Sequence, residues 1–227
     1  NHLHLEAKIG GYEAANQEAE RLEKVYRSIA QLINCQPDEI AVVENATRAW
    51  DMAFYSLPLQ AGDRILTACN EYASNYIAFL QMAKLRGVEI DVVENDKYGQ
   101  IDLTRLKEKI DDKVKLIAIT HVPTNGGLIN PAAAVGKLAQ EHKITYLLDA
   151  CQSVGQLVID VEEIGCDLLS ATGRKYLRGP RGTGFLYVRK SILEKLEPPF
   201  LDLHAAEWSS LNQYETRPDA RRFENWE

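Results

Sequence analysis

The stretch KLIAITHVPTNGGLINPAAAVGKLAQEHKITYLLDA, residues 115–150, decides the fold of this chain. Two apolar runs, KLIAITHV (115–122) and ITYLLDA (144–150), flank the amphipathic run PAAAVGKLAQEH (131–142), which has the length of a helix. Because both outer runs are apolar on both faces, they are typical of buried strands in a parallel sheet, which a crossover connects. The stretch therefore predicts a strand–helix–strand unit.

The same alternation extends through most of the chain. Two more helical patterns occur at 47–57 and 73–87. Five further strands are predicted at EIAVVEN (39–45), RILTACN (64–70), VEIDVVE (88–94), CDLLSAT (166–172) and GFLYVRK (184–190). The connection before the last strand is rich in Gly, Pro and Arg and too short for a helical crossover, so GFLYVRK is predicted to run antiparallel. We expect an α/β fold with three α-β-α layers around a mostly parallel seven-stranded sheet with one antiparallel strand.

Composition narrows the classes of function. The chain has 227 residues, of which 45% are hydrophobic, and a formal net charge of -7. This acidic balance argues against a nucleic-acid partner and favours a small substrate. No apolar run is long enough to cross a membrane and the N-terminus does not resemble a signal peptide, so we expect a cytoplasmic protein. The four cysteines lack metal-binding spacing, and His2 and His4 are interpreted as surface residues, so no metal is assigned.

Polar residues follow the predicted strands, and in open α/β sheets ligands bind at the carboxyl ends of strands. Asp149 ends the apolar run ITYLLDA, where a buried carboxylate is costly unless a cation or a donor pairs with it. A protonated ring nitrogen of a cofactor is one such cation. An aspartate that merely caps the following turn is the alternative, and this segment alone does not separate the two.

Lys175 lies in SATGRKYLRGPRGTGFLYV (170–188), between a predicted strand and a Gly/Pro/Arg-rich loop. Positive charge from Arg174 and its neighbours favours the neutral amine that a Schiff-base lysine requires, and arginine forks and hydroxyls are donors for a phosphate. A basic surface loop is the alternative. Ala46 and Thr47 follow another strand at a predicted helix start, where free backbone N–H groups bind anions, although an ordinary helix cap has the same pattern.

Tyr72 follows the strand RILTACN, where its ring could lie on a flat cofactor or simply pack in the core. Each of these signals is weak alone. Together they place an aspartate after one strand and a lysine after the next, and both would converge on one ligand in an open α/β sheet.

These residues carry a resemblance to a known family. The segments are ENAT (44–47), NEYASN (70–75), THVPTNGG (120–127), LLDACQSVGQ (147–156) and TGRKYLRGPRGTGFLYV (172–188). They resemble the class V aminotransferase family of fold-type I pyridoxal 5'-phosphate (PLP) enzymes, which includes cysteine desulfurases and selenocysteine lyases. The fingerprint is similar to that of a C-S lyase subgroup of the ergothioneine pathway. Asp-x-x-Gln with a lysine 26 positions after the aspartate is the most specific element.

The resemblance implies a role for each matching position. Lys175 would form the Schiff base with PLP and move the proton at the substrate Cα, and Asp149 would pair with the pyridine nitrogen. Gln152 would bind the ring hydroxyl and Tyr72 would stack on the ring. The implied phosphate contacts are Ala46, Thr47, Thr172 and Arg174.

Three positions depart from the common desulfurase pattern. Tyr72 and Arg174 stand where histidines are usual, which puts a proton-shuttling role at position 72 in doubt and changes the charge beside Lys175. Thr124 stands where many desulfurases have Asn, so the substrate carboxylate contact is assigned to Thr124 or the adjacent Asn125. Cys151 is interpreted as a packing residue, because the persulfide cysteine of the family lies on a later loop.

The resemblance implies a PLP-dependent enzyme that acts on an amino acid, as a C-S or C-Se lyase or a cysteine desulfurase-like enzyme. Aminotransfer or epimerisation would use the same residues, and a non-catalytic PLP-binding module is a further alternative. The implied organisation is an N-terminal helical segment (1–36), a PLP-binding large domain (37–200) and the start of a connection to a missing small domain (201–227). A homodimer is implied by the family.

Overall fold

A computed structural model describes residues 1–226, and its centre is a seven-stranded sheet. The strands are β1 (Ile40–Val43), β2 (Arg64–Ala68), β3 (Glu89–Val93), β4 (Val114–Thr120), β5 (Thr145–Asp149), β6 (Leu168–Thr172) and β7 (Gly184–Val188). Their spatial order is β1-β7-β6-β5-β4-β2-β3. Strand β7 is antiparallel to both of its neighbours, and all other pairs are parallel.

This sheet confirms the predicted fold class and the seven predicted strands. The antiparallel direction of β7 is confirmed as well, and its physical reason is the short connection from β6, which leaves no room for a crossover helix. The observed strands are shorter than the predicted runs, since residues such as Asn45 and Asn70 at their ends belong to caps and turns.

Helices cover both faces of the sheet. They are α1 (His2–Ile9), α2 (Gly11–Gln17), α3 (Ala19–Ile33), α4 (Ala46–Tyr55), α5 (Ala73–Arg86), α6 (Leu103–Lys109), α7 (Ala132–Glu141) and α8 (Val161–Ile164). One core cluster joins α4 and α5 to the first face, and a second joins α3, α6, α7 and α8 to the other. The three-layer arrangement follows from strands that are apolar on both faces.

Side chains alternate between the two faces along each strand, and this alternation determines which face a residue at the carboxyl-terminal end of a strand belongs to. In β5, Tyr146 and Leu148 belong to the second core cluster, and Leu147 belongs to the cluster that contains α4 and α5. Because successive side chains in a strand point to opposite faces, Asp149 lies on the same face as Leu147. The polar end of β5 therefore faces the side of the sheet that carries α4 and α5.

The terminal segments pack on this body. Helices α1–α3 occupy residues 2–33, and a hairpin of β8 (Ala206–Ser210) and β9 (Gln213–Thr216) lies within the segment predicted as a connection. Short 3-10 helices occur at Pro37–Glu39, Lys190–Lys195 and Ala220–Phe223. The division into three segments stays a prediction. Within residues 1–226, no helix is both long enough and apolar enough to cross a membrane.

Candidate active site

A cavity of about 610 Å³ lies at the carboxyl-terminal edge of the sheet, beside the N-terminus of α4. Most of the residues predicted for the site line it, although they come from distant parts of the chain. They are Ala46, Thr47, Tyr72, Thr124, Asp149, Gln152, Thr172, Arg174 and Lys175. Asn125 is exposed on the same loop as Thr124 and is not part of the cavity wall. The individual roles of these residues stay predictions.

Asp149 is the buried anion of the cavity, with 5% of its surface exposed. Its Oδ1 accepts a hydrogen bond of 2.8 Å from the Cys151 backbone N–H, and its Oδ2 accepts one of 2.9 Å from Nδ2 of Asn75. Burial raises the pKa of Asp149, while the two donors and the charge of Lys175 oppose that rise. The carboxylate is therefore oriented by two fixed donors and retains lone pairs for a ligand.

Lys175 lies in the tight turn that follows β6, and it lines the cavity together with Asp149 and Cys151. The Arg178 N–H closes this turn with a bond of 2.9 Å to the Lys175 carbonyl. Gly155 packs against the turn so closely that a Cβ there would lie 2.6 Å from the Tyr176 carbonyl carbon. The missing side chain of Gly155 thus lets the loop after β5 touch the turn after β6, which brings the aspartate and the lysine together.

Cys151 lines the cavity beside Lys175, so its side chain belongs to the site rather than to the interior alone. Burial raises the pKa of its thiol, and so does the charge of Asp149, while a hydrogen bond with Lys175 opposes them. The neutral thiol is therefore favoured at neutral pH. A thiol in this state is a poor nucleophile, which agrees with a packing role.

The N-terminus of α4 forms one wall of the cavity. Asn45 caps the helix, with its Oδ1 accepting a hydrogen bond of 2.9 Å from the Arg48 N–H. The N–H groups of Ala46 and Thr47 in the first turn have no partner within the helix. A Cβ at Gly184, the first residue of β7, would lie 2.7 Å from the Asn45 carbonyl carbon, so only glycine permits this close approach. The arrangement presents backbone donors to an anion.

The cavity wall is rich in charge. The cationic side chains are Arg48, Arg174, Lys175 and Arg181, and the carboxylates are Glu44, Asp51 and Asp149. Burial raises the pKa of Asp51, and the nearby Arg48 opposes that effect. The Thr172 hydroxyl donates a bond of 3.3 Å to the Thr183 carbonyl, so its oxygen is held at the cavity wall. The cluster of guanidinium groups, hydroxyls and a helix N-terminus is suited to a phosphate.

Tyr72 and Gln152 also line the cavity. Tyr72 is 42% exposed as a residue, so its side chain can cover a ligand without first leaving a packed position. Its backbone N–H is anchored by a bond of 2.9 Å to Oε1 of Glu71 and one of 3.2 Å to the Thr120 hydroxyl. The backbone at Tyr72 is therefore held in place by the Glu71 carboxylate and the Thr120 hydroxyl.

The sequence analysis assigned no role to three polar residues that lie in the cavity wall or behind it. They are Glu71, Asn75 and Thr120. Asn75 is 3% exposed and donates to both Glu71 and Asp149, at 2.8 and 2.9 Å. The spacing of four residues between Glu71 and Asn75 is the only sequence signal that could have linked them, because residues so spaced meet on a helical turn. The contact with Asp149 crosses 74 positions and has no local signal.

His121 follows β4 but does not line the cavity. Burial lowers its pKa to about 4, and Nδ1 of its ring has no hydrogen-bond partner among the described residues. Its imidazole is therefore neutral at physiological pH. Residues 1–226 contain no group of three or more His, Cys, Asp or Glu side chains arranged to hold a metal ion.

The chain is similar to one known protein family and to individual curated sequences. The family described as aminotransferase class V matches residues 2–225. A probable cysteine desulfurase from Methanothermobacter thermautotrophicus is 31% identical over 192 residues, which cover 85% of this chain and 48% of the relative. Another from Synechocystis is 35% identical over 195 residues, covering 84% of this chain and 46% of the relative. The chain thus spans about half the length of the curated relatives it matches.

A solved structure is similar as well. The apo cysteine desulfurase from Thermococcus onnurineus superimposes with a TM-score of 0.87 at 28% identity, covering 93% of this chain and 53% of that chain. The similarity includes the sheet and both helical layers, since nearly the whole chain is matched.

Proposed function

The chain belongs to the class V aminotransferase family, and on this premise we propose that it forms the PLP-binding part of an enzyme acting on an amino acid. The reaction we propose is cleavage of a carbon–sulfur or carbon–selenium bond, as in a C-S lyase or a cysteine desulfurase. The observation that carries the proposal is the convergence of Lys175, Asp149 and the α4 N-terminus on one cavity. The names of the relatives, which are probable cysteine desulfurases, support the choice of a sulfur-containing substrate.

The residues present fit PLP. A buried carboxylate with free lone pairs suits a protonated ring nitrogen, and a helix N-terminus with Thr172 and Arg174 suits a phosphate. Tyr72 would cover the ring, and Gln152 would bind the ring hydroxyl. Lys175 would be the covalent anchor. When bound, PLP supplies an electron sink for the pair left on the substrate Cα after proton loss.

Each of the residues that line the cavity would have a different role in the reaction. Asp149, oriented by the Cys151 N–H and the Asn75 amide, would stabilise positive charge at the ring nitrogen. Lys175, with its amine free, would be the base that removes the substrate Cα proton and later returns it. Tyr72 limits the access of water to the reacting face. Thr124 supplies a hydroxyl for the substrate carboxylate, with Asn125 as the second candidate on that loop.

The products distinguish the reactions that this site could support. With PLP and L-cysteine, desulfuration yields alanine and sulfane sulfur, whereas β-elimination yields pyruvate, ammonia and sulfide. Either result, lost in Lys175→Ala and retained in Lys190→Ala, supports the proposal. Lys190 pairs with Asp38 outside the cavity and serves as the matched control. Keto-acid exchange or racemisation without sulfur release would favour aminotransfer or epimerisation instead, and binding of PLP without turnover of any amino acid would indicate a non-catalytic module.

We also propose, from family membership, that the protein is a cytoplasmic homodimer. Light scattering of the PLP-loaded protein tests the oligomeric state. A dimeric mass agrees with the proposal, and a monomeric mass contradicts it.

A further inference from the structure

Glu71 lies behind the cavity at the centre of a polar group that joins three elements. Its Oε1 accepts hydrogen bonds from the Tyr72 N–H at 2.9 Å, from Asn75 Nδ2 at 2.8 Å and from the Thr120 hydroxyl. Its Oε2 accepts one from the Thr67 hydroxyl at 3.2 Å. A partly buried carboxylate that has four donors and stands beside a second carboxylate is a costly arrangement that packing alone does not explain.

Asn75 connects this group to Asp149. Its Nδ2 atom donates one hydrogen to Oε1 of Glu71 and the other to Oδ2 of Asp149. Rotating the amide by half a turn would place its oxygen against two carboxylate oxygens, which is repulsive. Glu71 therefore fixes which end of the Asn75 amide faces Asp149, and the amide is buried too deeply for water to take over that role.

We propose that Glu71 is a positioning residue: through the Asn75 amide it holds the Asp149 carboxylate in the orientation that pairs with the ring nitrogen of bound PLP. The inference rests on the proposed function and adds to it a residue that does not touch the cofactor. Because Oδ1 of Asp149 is already held by the Cys151 N–H, the Asn75 bond is the second point that determines the carboxylate plane.

The charges of the two carboxylates are consistent with this role. Burial and the charge of Asp149 raise the pKa of Glu71, the hydroxyl and amide donors oppose both effects, and the resulting pKa is about 7. Lys175 stabilises the ionised form of Asp149 and is not among the groups that act on Glu71. The two carboxylates therefore have different surroundings: the Lys175 cation acts on Asp149, whereas hydroxyl, amide and backbone N–H donors act on Glu71.

The test uses PLP labelled with 15N in the ring and borohydride trapping of any adduct on Lys175. Glu71→Ala removes the acceptor, Glu71→Met removes it while filling the space, and Glu71→Gln keeps an acceptor oxygen for Asn75. Glu215→Ala is the control, since it removes a carboxylate on the exposed strand β9, outside the cavity. Thermal unfolding identifies any variant that does not fold, in which case the other disrupting variant provides the answer.

We expect the ring-nitrogen resonance of Glu71→Ala and Glu71→Met to move toward the unprotonated position, with the dissociation constant for PLP raised about tenfold. Glu71→Gln and Glu215→Ala should keep the wild-type resonance. An unchanged resonance in the folded disrupting variants, with the adduct still on Lys175, overturns the inference alone. Absence of an adduct in the wild-type protein overturns the proposed function and this inference together.

Discussion

Asp149 is the single residue on which the chemistry of the cavity depends most, apart from the lysine. Asp149→Asn keeps the size of the side chain but removes its charge, so a protonated ring nitrogen would lose its counter-ion. Because a hydrogen bond to a charged group contributes about 1.5–3 kcal/mol, we expect the dissociation constant for PLP to rise roughly 10- to 100-fold. Titration of the visible absorbance measures this constant. Asp160→Asn, a change at the N-cap of α8, is the control, and equal affinity in the two variants would count against the role of Asp149.

Glu71 gives the protein a pH dependence of stability that can be measured without cofactor. Its pKa is about 7 in the folded protein against an ordinary value of 4.5, so above pH 4.5 the folded state binds more protons than the unfolded state. The contribution of Glu71 to the free energy of unfolding is thus highest below pH 4.5 and falls as the pH rises to about 7.

Glu71→Gln should remove this slope, because glutamine does not titrate. At pH 8 the variant is expected to be more stable than the wild type by roughly 1–3 kcal/mol, as measured by urea unfolding. The difference should shrink toward pH 5. A variant that is less stable than the wild type at both pH values would show that Glu71 is ionised without penalty.

Some residues of the site can be predicted from the sequence and others cannot. Asp149 and Lys175 are recognisable because each follows an apolar strand in a segment with a specific pattern. Glu71 and Asn75 occur in the quoted segment NEYASN, yet nothing in that segment indicates that the Asn75 amide reaches Asp149. That contact arises only when α5 packs on the face of the sheet to which Asp149 belongs.

The position of the α4 N-terminus depends on the close approach of strand β7. A Cβ at Gly184 would lie 2.7 Å from the Asn45 carbonyl carbon and 2.8 Å from the Ala171 oxygen, and both of these are backbone atoms that cannot rotate away. Gly184→Ala should therefore push β7 from the α4 N-terminus and cost about 1–3 kcal/mol of stability.

The displaced helix start should also bind phosphate less well, so the affinity for PLP is expected to fall in Gly184→Ala. Chemical unfolding and PLP titration measure the two effects. Gly11→Ala is the matched control, because no atom lies within 4 Å of a Cβ built there. Equal behaviour of the two alanine variants would mean that the close approach of β7 to Asn45 is unimportant.

The elements themselves were largely predictable. Apolar runs on β4 and β5 reveal buried strands directly, and the short connection to β7 reveals its direction. The hairpin β8–β9 was not predicted, because its residues are mostly exposed and so lack the burial pattern that marks the strands of the sheet.

For the whole molecule, Glu224 joins segments that are far apart in the chain. This carboxylate is 6% exposed and accepts hydrogen bonds from the Tyr26 hydroxyl at 2.9 Å and the Val42 N–H at 2.6 Å. It also contacts Nε2 of His204 at 2.8 Å. The C-terminal segment is thereby tied to α3 and to the edge strand β1.

Glu224→Ala leaves these partly buried partners without their acceptor, so we expect the free energy of unfolding to fall by about 1–3 kcal/mol. Denaturant titration provides the measurement. Glu215→Ala, on the exposed strand β9, should change stability by less than about 0.5 kcal/mol. A similar small effect at both positions would mean that the terminal segment is not anchored through Glu224.

The central claim is that one cavity holds PLP through Lys175, and borohydride reduction tests it most directly. The protein is mixed with PLP, its visible spectrum is recorded, and the reduced adduct is located by peptide mapping. The account predicts an absorption band that reduction abolishes and a pyridoxyl group on Lys175, with no such adduct in Lys175→Ala. Failure to form an adduct, or an adduct of equal yield on another lysine such as Lys190, would contradict it.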